Sequence, residues 1–525
     1  MWQTQQRMRI HGSRAIMVGL CLLGVLQGRA QGNDRVEILN ADRWVFDKEV
    51  ATGAQRLLGN VRFRQEDATM ACDSAYLYED NRVTAFSRVV LNQGDTLRIH
   101  GDRLEYAGSN RVARMSGRVR LSDPGMELTT DALTYDVRAH QATYTTFARI
   151  ENRRDGSTLT SRNGVYDAGR HVFDFTDSVR ILHTDYSIRS DTVRYATSSG
   201  QADFIGPTWI LQDDVRMYCE RGSYTTGSGM GMFTKQGRIL HGAQELTGDS
   251  LVHDRAKGIG RGWGHVVIKD TVQRLVIRGG QGLHRQADDH SMVTGHAELA
   301  MLMGADSLHL HGDTLFADQD LAGRRAVTAR ENVRFFKQDM QGVCDTMRYA
   351  HGDSLITLRG APFLWNLGNQ LSGDSIRIQL RNGQADQLHV EGHAFLTAQA
   401  DSLHFDQITG TTLTGYFRHN ELHRLIADGN SRSVYFAREV RDSVEQVTGV
   451  NRVDCSTISI GLDSGQVQTV SFITQPAATL FPLDKAPVEE LRLDGFRWNA
   501  AARPQDQADI FRRTPPPPTA WGAAE

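Results

Sequence analysis

The sequence predicts an all-β, elongated fold built by stacking about a dozen repeats of antiparallel strands. Three observations carry this. Two short blocks recur in one phase with a period of about 30 residues, the mark of a repeat architecture. Within each repeat, apolar and polar residues alternate with period two, as in strands with one buried and one wet face. Helical periodicity is nearly absent, and 50 glycines against 11 prolines suit many turns between strands.

The first block is Gly-x-Val-x-Leu/Phe. It appears as "GNVRF" (59–63), "SRVVL" (87–91), "GRVRL" (117–121), "DSVRI" (177–181), "GRILH" (237–241), "GHVVI" (264–268), "GHAEL" (295–299), "ENVRF" (331–335), "GAPFL" (360–364) and "GHAFL" (392–396). Weaker copies are "TFARI" (146–150) and "GPTWI" (206–210). Ser87 stands where most copies carry glycine, which predicts a different bend at that repeat. The second block is Asp-x-apolar-x-Tyr, as in "DSAYL" (73–77), "DRLEY" (102–106), "DALTY" (131–135) and "DTVRY" (191–195).

Each repeat reads as two strands. In "GDRLEYAGSNRVARMSGRVRL" (101–121), Leu104 and Tyr106 share a face opposite Arg103 and Glu105. Beyond the turn "AGSN", Ala113, Met115, Val119 and Leu121 oppose Arg114, Ser116, Arg118 and Arg120. Turn signals fall where the strands should end, at "EDNR" (79–82), "AGSN" (107–110), "DAGR" (167–170) and "RNGQ" (381–384). No unit can bury its apolar face alone, whereas stacked units share one interior. At one rung of about 4.8 Å per repeat, the body would be on the order of 60 Å long.

The ends read differently. Arg7, Arg9 and Arg14 precede the apolar run "AIMVGLCLLGVL" (15–26), too short to span a bilayer comfortably. Small residues follow up to Ala30, so residues 1–30 are expected to be a cleavable secretory signal. Repeats fill 31–260 and continue through 261–485. Residues 486–525 form a C-terminal extension ending in the proline-rich tail "RRTPPPPTAWGAAE" (512–525).

Composition excludes some functions. Net charge is −3, and residues 1–30 contribute four arginines and no acid. The exported chain is therefore more acidic still, and nucleic-acid binding lacks its basic footprint. "GDSL" at 248–251 and 352–355 suggests an esterase with Ser250 or Ser354 as nucleophile. Yet Ser250 occupies the variable slot after the recurring aspartate, and no matching histidine block supplies a base. The recurring aspartates do not follow the nine-residue period of calcium β-rolls and suit a strand-edge or turn role. His265, His296 and His393 follow the block glycines on the polar face, where they should be solvated. No catalytic residue, metal site or cofactor is predicted. Cys72, Cys219 and Cys344 precede the acidic slot in distant repeats, too far apart to form disulfides with one another.

The ordered blocks, above all "LLGNVRFRQEDATMACDSAYLYEDNRVTAFSRVVLNQGDTLRIHGDRLEY", resemble the OstA/LptA-like lipopolysaccharide-transport family. Within that family the blocks most resemble those of the large OstA-like proteins of Bacteroidetes-type bacteria. Later stretches fit the same pattern: "FIGPTWI" (204–210), "ITGTTLTGYFRHNELHRLIADGNSRSVYFA" (408–437) and "FPLDKAPVEELRLDGFRWNAAARPQDQADIF" (481–511). The resemblance implies a β-jellyroll of two facing sheets whose apolar interior holds the acyl chains of lipid A. It implies a bridge protein, periplasmic or peripheral at the outer membrane. Its partners would be inner-membrane export machinery and an outer-membrane translocon, joined through edge-strand addition. The same edges would permit end-to-end self-association. Candidate groove-lining residues are Val61, Phe63, Val89, Leu91, Leu104, Met115, Val119, Leu121, Leu133, Phe173, Phe175, Val179, Ile181, Val193, Val333 and Phe335. The competing readings are a structural cell-envelope solenoid with a filled core and no lipid, and a polysaccharide enzyme on a parallel β-helix.

Overall fold

A computed structural model describes residues 35–46, 53–303, 305–319, 323–419, 421–441, 444–464 and 466–513. The expected signal segment 1–30 and most of the proline-rich tail lie outside these residues. Alternation becomes strand as expected. In the strand Val112–Ser122, Ala113, Met115, Val119 and Leu121 are buried while Arg114, Ser116, Arg118 and Arg120 face solvent. That strand pairs antiparallel with Leu97–Ala107 on one side and Met126–Asp136 on the other. The pattern propagates through 38 strands of one hydrogen-bonded ladder, with no α-helix among the described residues. The division at residue 260 falls inside the strand Ile259–Asp270, and the ladder is continuous across it. Turns sit where the sequence placed them. "RNGQ" closes a tight hairpin with Asn382 and Gly383 both at positive φ, the twist that matches two flanking strands.

The recurring blocks prove to be corners inside the strands. At Gly117 and Arg118 two consecutive residues have positive φ, 76° and 48°, and together they oppose Asp131 alone. This is a β-bulge, which bends a strand and strengthens its twist. Paired positive-φ residues recur at Gly59/Asn60, Gly264/His265, Glu331/Asn332 and Gly392/His393. The neighbouring strand supplies an aspartate beneath each bend. Arg118 bonds Asp102 at 2.8 Å, Arg88 bonds Asp73 at 2.7 Å and His265 meets Asp249 at 2.8 Å. Asp73 and Asp102 are thus corner partners in mid-strand rather than at a strand edge or turn, whereas Asp249 sits between the strands Gln244–Gly248 and Ser250–Asp254. His265 and His393 are exposed but carry aspartate partners, so they are not merely solvated. A Cβ at residue 117 would lie 2.7 Å from an Asp102 carboxylate oxygen, which explains glycine there.

Two expectations need correction. Ser87 and Arg88 adopt the same double left-handed bend, with φ of 61° and 51°. The Asp73–Arg88 pair spans this corner, which forms without glycine despite an intrinsic cost of about 1–2 kcal/mol per left-handed residue. The length estimate also fails, because each repeat contributes two rungs. The stack is therefore on the order of 120 Å long.

The corners fold the ladder into two facing halves. We call the half carrying Leu104, Tyr106, Phe173 and Phe175 the first sheet. The half carrying Val61, Phe63, Val119 and Ile181 is the second. One continuous apolar core lies between them. Near the C-terminal end some strands lose their alternation, and Phe363–Asn366 is buried on both faces. There the segment 483–513 returns along the outside of the stack as an irregular strap with short 3-10 turns. Leu493 packs on Phe395, Val434, Phe436 and Val450, and Ala502 on Phe363 and Trp365. Buried glutamines hold the strap's backbone. Gln407 donates to Leu491 O and accepts from Leu493 N, and Gln370 does the same with Arg497 O and Asn499 N.

Candidate functional site

The site is the space between the sheets, and its geometry follows from the corners. Each strand bends once, so the corners close one long side of the body. The hairpin turns of both sheets meet along the opposite side, which we call the mouth. All sixteen candidate lining residues point inward and are at most 2% exposed. Leu104, Met115, Leu133, Phe173, Phe175 and Val193 lie on the first sheet. Val61, Phe63, Val89, Leu91, Val119, Leu121, Val179, Ile181, Val333 and Phe335 lie on the second. Around the middle repeats the interior is aromatic: Tyr166 stacks on Phe173 at 4.3 Å and Phe173 on Phe175 at 4.8 Å.

The interior is closed and filled by its own side chains. A pocket between Phe63, Met70, Leu91 and Tyr106 measures about 10 Å³, and another beside His253 and His284 is the same size. Each holds about one water. Ligand pockets run to roughly 300–1,000 Å³, so an acyl chain enters only if the sheets move apart.

What holds the mouth shut is a polar ladder that sequence reasoning missed. Tyrosines of successive repeats come to lie at the mouth, Tyr106 and Tyr195 from the second block and Tyr166 from an equivalent strand without the aspartate. Tyr106 donates to Gln65 Oε1 at 2.6 Å, Tyr166 donates to Asp123, and Asn152 donates to Tyr195 Oη at 2.7 Å. Thr226 donates to Asp155 at 2.9 Å. Arg111 pairs with Glu66 at 2.6 Å, Arg255 with Asp185 at 3.0 Å, and Arg325 with both Asp270 and Asp289. Each of these contacts except Arg325–Asp289, whose partners both lie on the first sheet, links the first sheet to the second through a side chain. The signal was the tyrosine itself, since a buried phenol seeks a hydrogen-bond partner. Burial pushes the Tyr106 and Tyr224 hydroxyls up to about 12, so they remain donors throughout the physiological range.

In the middle of the chain the ladder changes from tyrosine to histidine. His253 pairs in register with Gly231 and Gly260, is 1% exposed, and has no hydrogen-bond partner for either ring nitrogen. His284 is also buried, with Nδ1 on Ser291. Burial lowers the pKa of both, so both are neutral in the fold. The unfolded chain titrates near the ordinary value of about 6.5. Below that pH it takes up protons that the folded chain refuses. Stability is therefore full above about pH 6.5 and falls as the pH drops below it, until the lowered folded pKa values are reached. Thermal unfolding between pH 7 and pH 5 should show this decline, and His253→Phe should flatten it. Equal slopes in the two proteins would show that the buried histidines are not its cause.

The four cysteines among the described residues occupy one structural slot. Cys72, Cys219, Cys344 and Cys455 stand opposite Val61, Thr208, Val333 and Ser431, in each case just past a corner, and all four are free thiols. Other repeats place Gly101 or Ser190 there, so the slot selects small residues. The "GDSL" serines gain no catalytic partner. Asp249 does meet a histidine, His265, but as a corner contact, and neither hydrogen-bonds Ser250.

Residues 33–191 match the family described as OstA-like protein. No curated protein matches the chain.

Proposed function

Residues 33–191 form an OstA-like domain, and from that premise we propose that the chain is a periplasmic lipopolysaccharide-binding bridge protein. Its role is binding and transport rather than catalysis. The sheets part at the mouth, and lipid A acyl chains replace the side-chain contacts between them. The stacked architecture continues past residue 191 without a break, so the same interior serves the whole length. Partners of the same fold, on the inner-membrane export side and at the outer-membrane translocon, would extend the ladder at its terminal strands.

The observation that carries this reading is the mouth. A permanently filled core gains nothing from a long side closed by side-chain hydrogen bonds and ion pairs, whose polar groups cost free energy to bury. Each such contact is worth only about 1 kcal/mol. Burying one methylene is worth roughly 0.8 kcal/mol, so acyl chains outweigh local parting of the ladder. The packed interior favours the rival, a filled structural solenoid, and one experiment separates the two. A photo-crosslinking residue at Phe175, inside, should capture lipopolysaccharide in cells, whereas one at exposed Arg114 should not. Equal capture at both positions, or at neither, favours the solenoid.

A further inference from the structure

The mouth is not held equally along its length. Strand register sets Tyr106, Tyr135, Tyr166, Tyr195 and Tyr224 in one inward row of the first sheet, on every second strand. All five are buried. Four of them bond across to the second sheet, Tyr224 to Gln212 Oε1 at 3.1 Å, and of the five only Tyr135 lacks a partner. Beyond Tyr224 the row changes. Its next large side chains are His253 and His284, with Gly231 and Gly260 beside them. Ser291 and Ala317 follow, and tyrosine returns only at Tyr349.

An imidazole is shorter than a phenol, and here it makes no bond across the mouth. Both nitrogens of His253 and Nε2 of His284 have no hydrogen-bond partner among the described residues, and Nδ1 of His284 meets Ser291 of its own sheet. Nε2 of His351, at the far end of this stretch, is also unpartnered among them. Space is left as well. The cavity beside His253 and His284 lies here, and a second of about 20 Å³ lies between Ser291, Ala317, Val327 and His351. Glycines inside a strand weaken it further, since they bring no side chain to the packing. What spans the mouth instead is Arg325 on Asp270, and Gln244 on Asp289 at 2.9 Å. Such long side chains lose more rotamer freedom on ordering than a tyrosine ring does.

We propose that the sheets part first where His253, His284, Ser291 and Ala317 line the mouth, and that this stretch is the side port through which acyl chains enter the interior. The proposal rests on the lipid-binding reading above. The closed port keeps bare buried nitrogens and unfilled space, so parting the sheets there forfeits less than it does beside the bonded tyrosines. Water that reaches His253 and His284 satisfies nitrogens that the closed mouth leaves without partners. Lipid admitted midway along the stack spreads from there toward its ends.

The test uses the full-length chain and purified lipopolysaccharide. Paired spin labels report the width of the mouth before lipid is added. One pair, Ala243→Cys/Ala287→Cys, flanks the Gln244–Asp289 contact. The other, Arg154→Cys/Ser198→Cys, lies beside the Asn152–Tyr195 contact, where Arg154 reaches Ser198 O at 2.7 Å. The first pair should show a second, longer distance and the second pair a single short one. Photo-crosslinking residues at buried Leu251 and Leu104 then follow entry. Capture should appear at Leu251 first and at Leu104 later. His253→Tyr/His284→Tyr extends the tyrosine row, and it should remove the longer distance and slow capture at both positions at least tenfold. If circular dichroism shows that the added bulk prevents folding, the spin labels and the order of capture decide alone. Equal distances at the two pairs, capture at Leu104 no later than at Leu251, or an unchanged rate in a folded double variant overturns the proposal. The two readings fail separately. Lipid captured with no lead at Leu251 sinks the port and leaves the conduit, whereas a widening first pair with no capture at either residue sinks lipid binding, and the port with it.

Discussion

Joining the two sides of the mouth should abolish lipid uptake, and cutting the link should restore it. Asp155 lies in the turn between Asn152 and Thr158 on the second sheet, and Thr226 in the turn between Thr225 and Met230 on the first. Their side chains meet at 2.9 Å. Asp155→Cys and Thr226→Cys, bridged by a short thiol-cleavable linker, would pin the sheets together where they must separate. Lipid loading should fall at least tenfold in the bridged protein and recover after reduction. Thr226→Cys loses the bond to Asp155, and Asp155→Cys also loses those from Ser157 N and Oγ; at about 1 kcal/mol per bond, each single variant should still load. The native thiols do not compete. Burial pushes Cys72 up to about 11 and Cys219 up to about 12, and Cys344 and Cys455 are also raised, which suppresses the reactive thiolate.

Loss of the C-terminal strap should cost far more than loss of an ordinary surface segment. Leu493 is 2% exposed and anchors a cluster with Phe395, Val434, Phe436 and Val450. Truncating it to alanine should destabilise that region by about 2–5 kcal/mol. Ending the chain at Pro482 would uncover Phe363, Trp365, Phe395 and Phe436 on a face already polar-satisfied only by the strap. Such an exposed apolar stripe promotes self-association. Stacked repeats contact only their neighbours, so the damage should stay local. Hydrogen exchange should rise in strands between residues 333 and 437 and stay unchanged between 54 and 212. A uniform rise along the chain would mean that the stack unfolds as one unit.

The fold was largely legible because its period is written twice. The glycine block and the aspartate block keep phase, and alternation assigned inward and outward faces correctly at Leu104, Met115, Val119 and Leu121. What alternation cannot show is where a strand bends, since apolar residues resume their rhythm on both sides of a corner. Gly117 read as a position inside a continuous strand and Asp102 as a strand-edge or turn residue, and only the register shows that they are two halves of one bend. Ser87 misled for the same reason: the bend does not require glycine, and Asp177/Ser178 and Glu331/Asn332 adopt it too. The strap was hidden because "GFRWNAAARPQDQADIF" has no period. Its trace was elsewhere, in "APFLW" and "HAFLT", where alternation gives way to continuous apolar runs and signals burial on both faces. The mouth ladder was within reach, because the tyrosines that end several of these blocks, such as Tyr106 and Tyr195, place a phenol where it meets a polar partner.

The central claim is that the interior fills with acyl chains through a mouth that opens. It is tested most directly by placing the photo-crosslinking residue at Phe175 in the protein that also carries Asp155→Cys and Thr226→Cys. With the linker cleaved, Phe175 should capture lipopolysaccharide; with the linker intact, capture should disappear while the circular dichroism stays the same. Capture that is equal in the two states, or absent from both, would contradict the account.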